Sequence, residues 1–158
     1  LNLVYLAERF GLPEVAAYWE QVVRLNEWQT RRFAENMVSS MFNSVTGKRI
    51  ALLGFAFKKD TGDVRETAAA YVAKYLLDEK AVIAVYDPKV TRDDMFWELE
   101  HTLGVTPATY PGLESRVITC ETAMEACTGA DGIAVMTEWD EFTTVDYAAA
   151  YATMRKPA

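Results

Sequence analysis

From Gly47 onward, short apolar runs rich in Val and Ile alternate with stretches of helical periodicity, and this alternation constrains the fold more than any other feature. Strands are expected at Arg49–Gly54, Val82–Tyr86, Arg116–Thr119 and Gly132–Met136. Helices are expected at about Glu66–Lys80, Arg92–Leu103, Thr122–Cys127 and Asp146–Met154. Strands that are apolar throughout belong in a sheet covered on both faces, and strands separated by helices run parallel. Right-handed crossovers then give a doubly wound, Rossmann-like α/β sheet of order 3-2-1-4. Lys156-Pro157-Ala158 falls where a fifth strand is due, so the sheet is expected to be truncated at its C-terminal end.

The first 45 residues follow another plan. Leu1–Phe10 reads as the end of a helix, stopped by Gly11, with Pro13 suited to the first turn of the next. From Glu14 to about Phe42 there is neither Gly nor Pro, which allows a helix of roughly 40 Å. Val15, Trp19, Val22, Phe33, Met37 and Met41 form one stripe, with Tyr18, Leu25 and Trp28 to its side. Core packing accounts for any one of these residues. The helix as a whole reads as a strut joining two domains or two subunits. The chain therefore divides into a helical segment at 1–45 and a sheet domain at 46–158. Opening inside a helical pattern, with no initiator Met, it reads as a piece of a longer protein.

Charge and cysteine usage narrow the partners. With 16 Lys+Arg against 23 Asp+Glu the net charge is −7, which repels nucleic acid and anionic lipid. No apolar run is long enough to span a membrane, and no signal peptide is visible. Two cysteines, Cys120 and Cys127, and one histidine, His101, fit no common metal signature. The thiols read as buried and free in a reducing cytosol, so a cytoplasmic location is expected. His101 reads as a surface or satisfied histidine, and the four tryptophans as packing anchors. No nucleophile–base set is visible.

The chemistry concentrates behind the first strand. Gly54-Phe55-Ala56-Phe57-Lys58-Lys59-Asp60-Thr61-Gly62-Asp63-Val64-Arg65-Glu66 leads from strand to helix, as a nucleotide loop does. Yet Ala56 stands where a dinucleotide fingerprint has its second glycine, and Phe55 and Phe57 flank it. This backbone cannot hug a pyrophosphate as glycines allow, and lysines are offered instead. Lys58 is the candidate phosphate contact; Lys59, pointing the other way, reads as a surface lysine. Arg65 either reaches a ligand phosphate or carboxamide or pairs with Asp60 or Asp63. Those two aspartates read most simply as helix caps. Asp87 ends the second strand, farther beyond the loop than the ~20 residues of ordinary NAD sites. It reads as an Asp-Pro turn starter before a ribose ligand. Glu138 and Trp139 either wall the crevice at the switch point between first and fourth strands or simply end a strand.

The lysine loop, together with Leu12-Pro13-Glu14-Val15-Ala16, Arg31-Arg32-Phe33, Tyr86-Asp87-Pro88-Lys89 and Thr137-Glu138-Trp139-Asp140, closely resembles the UDP-glucose/GDP-mannose dehydrogenase family in its UDP-glucose-oxidising branch. The resemblance covers nearly the whole chain. It implies an NAD-dependent oxidation of UDP-glucose to UDP-glucuronate, with two NAD and one water. It implies that Phe57 and Lys58 contact the UDP-sugar, that Arg65 reaches NAD, and that the long helix builds a homo-oligomer. The family's catalytic cysteine belongs to a Gly-Gly-Ser-Cys segment that would precede Leu1. A substrate-binding arginine would follow Ala158. No catalytic residue is therefore assigned, and the chain alone is expected to be inactive. The same likeness admits GDP-mannose or a UDP-N-acetyl hexosamine as substrate, and a non-catalytic dimerising module is the rival from another class.

Overall fold

The run Arg49–Leu53 (β1) forms the middle of the sheet because it has no polar face: its last four residues are fully buried. In the computed structural model, which describes residues 2–155, Val82–Tyr86 (β2) and Gly132–Val135 (β4) flank β1, and Val117–Thr119 (β3) lies outside β2. The order is β3-β2-β1-β4, all neighbours parallel. Ala51 stands beside Ala84 on one side and Ile133 on the other. The topology is the one expected from the sequence. The expected fifth strand at Lys156-Pro157-Ala158 lies outside the described residues.

Ala68–Asp78 (α3) connects β1 to β2 and Arg92–Leu103 (α4) connects β2 to β3; the two helices touch on one face. Ala123–Cys127 (α6) crosses to β4 on the other face, beneath β1 and β2, and meets Tyr147–Thr153 (α8). α3 is alanine-rich on its inner side, with Ala69, Ala70 and Ala73 buried beside Val72, Leu76 and Leu77, so it lies close on the sheet. Thr67, Thr122 and Asp146 cap α3, α6 and α8, which moves each start one or two residues beyond the expected one. Two four-residue helices were not expected: Leu113–Arg116 (α5), which takes Arg116 from the third strand, and Asp140–Thr143 (α7). Cys120 and Cys127 are buried and free, and burial pushes both thiols up.

The N-terminal residues form Asn2–Arg9 (α1) and the long Pro13–Ser40 (α2), about 42 Å from end to end, with Pro13 in its first turn. Only the C-terminal part of α2 joins the core: Ala34 is fully buried, and Met37, Val38 and Met41 pack against it. The other half packs on α1 and keeps Leu25 and Trp28 more than half exposed. Among the tryptophans, Trp139 is a packing anchor. Trp28 and Trp97 are not: both stand about half exposed, Trp97 stacked on the exposed His101. An indole on a solvated helix face has no core to enter, which the residue type alone does not reveal.

Candidate functional site

The site is organised by a buried carboxylate. Asp87, at the carboxyl end of β2 and only 8% exposed, accepts five hydrogen bonds. Its Oδ2 takes the backbone N–H of Phe55 at 2.7 Å, that of Ala56 at 3.0 Å and the indole Nε1–H of Trp139 at 3.0 Å. Its Oδ1 takes the N–H groups of Lys89 at 2.8 Å and Val90 at 3.0 Å. The second pair is the Asp-Pro turn expected from the sequence. The first three bonds are not local. They draw together the loop after β1, the end of β2 and the segment after β4. Both oxygens serve the protein, so Asp87 holds no ribose hydroxyl.

The crevice expected between β1 and β4 is correspondingly closed. Gly54 has φ +94°, and a Cβ there would lie 2.5 Å from Cβ of Thr137. Thr137, itself buried, donates its hydroxyl to the Ala56 carbonyl at 2.8 Å. The N–H groups that would cradle a phosphate point at Asp87 instead. Open space lies on the outer side of the loop, a shallow cavity of about 340 Å³ lined by Phe57, Asp63, Arg65 and Glu66.

The loop is tied at its neck and at its far end. The Phe57 N–H donates to the Asp63 carbonyl at 2.8 Å. Glu66 adopts φ +53° and donates its N–H at 2.6 Å to Glu98, a fully buried carboxylate on α4. The other oxygen of Glu98 has no partner among the described residues. Phe57 is 61% exposed and Lys58 is exposed, with no hydrogen bond or ion pair to Lys58 among the described residues. Lys59, by contrast, pairs with Asp140 at 2.9 Å, and that hydrogen bond raises its ammonium above the usual lysine range. Arg65 is bound to Asp63 through Nε at 2.9 Å and Nη2 at 2.7 Å. The guanidinium hydrogen bonds hold the Asp63 carboxyl at about 2. Asp60 and Asp63 do not cap α3; Thr67 does, because the loop reaches the helix two residues later than expected. Tyr86 at the end of β2 donates to Glu141 at 2.8 Å, and burial first, then that carboxylate, pushes its hydroxyl up to about 12.

The sequence placed Phe57, Lys58 and Arg65 on one loop, and the structure brings Phe57 and Arg65 to one cavity; Lys58 is exposed but does not line it. Thr137 and Trp139 were placed at this crevice by the sequence without their partners, and Glu98 was missed. The first two act through contacts between distant segments. Glu98 had a readable signal: it shares the spacing of the buried Met95 and Leu99, so it lies on the apolar stripe of its helix. The described residues hold no group of three or more His, Cys, Asp or Glu suited to a metal, and no helix long and apolar enough to cross a membrane.

A parallel sheet of this order, with a strand-to-helix loop after its central strand, defines a Rossmann-like α/β domain whose first loop N–H groups are already occupied by a side chain. Comparison with known proteins agrees. Residues 51–158 match the model of the UDP-glucose/GDP-mannose dehydrogenase family, UDP binding domain, and the chain belongs to that family. UDP-glucose 6-dehydrogenase 4 of Oryza sativa subsp. japonica is 50% identical over 165 residues, covering 100% of this chain and 34% of the relative. UDP-glucose 6-dehydrogenase of Gallus gallus is 49% identical over 164 residues, covering 100% of this chain and 31% of that protein. The chain thus spans about a third of the length of these relatives. Among solved structures, a UDP-glucose dehydrogenase from the archaeon Pyrobaculum islandicum superposes with a TM-score of 0.66 at 26% identity, over 91% of this chain and 29% of that one.

Proposed function

We propose that this chain is the UDP-sugar-binding and dimerising portion of an NAD-dependent UDP-glucose 6-dehydrogenase, which oxidises UDP-glucose to UDP-glucuronate with two NAD and one water. The observation that carries the reading is the Gly54–Glu66 loop. Its first backbone donors are spent on Asp87, while Phe57 lines a cavity and Lys58, next along the loop, is exposed. Lys58 meets the pyrophosphate as a point charge, with no anion paired to it among the described residues. Phe57 offers an apolar face to the nucleotide.

The residues present do not form a dinucleotide cradle of their own, because the N–H groups of Phe55 and Ala56 are occupied. NAD supplies the hydride acceptor when bound, and this chain's contribution to it is Arg65. That guanidinium is largely exposed, and Asp63 steadies it through Nε and Nη2. No catalytic residue is assigned here. The exposed apolar face of α2 serves a homo-oligomer, and the protein is cytoplasmic, with neither nucleic acid nor membrane as partner.

Calorimetric titration of UDP, UDP-glucose and GDP into the chain tests this. Both uridine species are expected to bind more tightly than GDP. Lys58→Ala is expected to weaken them about tenfold, the ordinary loss for one charge-assisted contact. A preference for GDP would move the assignment to a guanosine sugar. Silence towards all three would leave a dimerising module.

A further inference from the structure

Deepening that reading, and resting on it, we propose that Asp87 is the positioning residue of the nucleotide site. It is an internal anion that takes the place of a bound phosphate at the end of β1, and so commits the ligand's phosphates to the exposed Lys58 further along the loop.

In an open parallel sheet the first N–H groups after the central strand, at the switch point, are the natural anion site. Here those donors are the N–H groups of Phe55 and Ala56, and a carboxylate of the protein itself already sits on them. Asp87 is buried and carries three further donors, from Trp139, Lys89 and Val90, so it cannot swing aside without orphaning them. Thr137 closes the same place from the β4 side by bonding the Ala56 carbonyl. A phosphate entering there would have to displace a charged, fully satisfied group and would meet like charge within a few ångströms. The next positions along the chain, Phe57 and Lys58, are the first to face solvent. Their direction follows from a neck fixed on one side by Asp87 and on the other by the Phe57–Asp63 backbone bond. Asp87 touches no ligand in this scheme; it acts through the loop.

The test is a double-mutant cycle on UDP affinity, with thermal melting of every variant. Asp87→Asn keeps the shape but removes the charge and leaves one acceptor oxygen where two served five donors. It is expected to weaken UDP about tenfold in protein that still melts cooperatively. In the Asp87→Asn/Lys58→Ala double variant the affinity should fall no further than in Lys58→Ala, within about twofold, because both changes remove one contact. A merely structural role lowers the melting temperature and leaves the affinity of the folded protein unchanged. Should Asp87→Asn fail to fold, Thr137→Val carries the test: it removes the second latch, keeps the carboxylate, and is expected to weaken UDP about threefold. Unchanged affinity in the folded variants, or losses that multiply in the double variant, overturns the proposal while the uridine-binding function stands. No UDP binding by the unsubstituted chain overturns that function and this proposal together.

Discussion

Asp63 and Arg65 show how a short-range pair sets the chemistry of an exposed cation. The guanidinium stabilises the ionised carboxylate, so Asp63 titrates at about 2 in the folded protein, below the ordinary carboxylate value near ~4. A depressed value means that the contribution to stability is present above the ordinary carboxylate range and is lost as pH falls through about 2. Both groups are substantially exposed, so the loss is small and is best read on the carboxyl itself. Carbon-13 shifts of the Asp63 carboxyl should report the low value in the intact chain and a return to the ordinary range in Arg65→Ala. An ordinary value in the intact chain would contradict the pairing. At this scale the sequence named the right residues and could not choose their partners. Asp60 and Asp63 both precede Arg65 on the same loop, and spacing alone does not say which carboxylate turns back onto the guanidinium. The non-local bonds of Asp87 come from stretches more than thirty residues away on either side.

Among the elements, β1 and the loop it launches depend on Gly54 more than on any other residue. The backbone there is in a region that side chains rarely adopt, and the space of the missing Cβ is already filled by Thr137. Gly54→Ala is expected to cost about 3 kcal/mol or more, read as a lower midpoint in urea. The control is Gly104→Ala at the left-handed cap of α4, where nothing lies within 4 Å; it should cost only about 1 kcal/mol. Near-equal costs would mean that the close approach to Thr137 is not what fixes the loop. The elements themselves were largely legible, because continuous apolar runs and the Thr-to-Gly frame of Arg92–Leu103 are strong local signals. Leu113–Arg116 and Asp140–Thr143 were not, since four residues are too few to display a helical period.

For the whole molecule, the apolar surface on the free half of α2 is the dominant feature. Leu25 and Trp28 lie on the same helix face, three residues apart and more than half exposed. Sedimentation of the chain should reveal self-association that the Leu25→Glu/Trp28→Glu variant abolishes without lowering its melting temperature. A monomer at high concentration in both would remove the case for pairing through this helix. The helix was visible in the sequence as an unbroken run. Which half it would bury was not, because both halves carry apolar residues at similar spacing. Ala34 explains the asymmetry: its small side chain is fully buried where α2 joins the core, close to the helix that follows the nucleotide loop. A rod held at one end amplifies movement there. From Ala34 to Pro13 the arm is about 31 Å, so a tilt of about 5° at the grip carries the free tip through roughly 3 Å. A larger side chain at position 34 would therefore be felt most strongly far away, in the alignment of whatever rests on the other end.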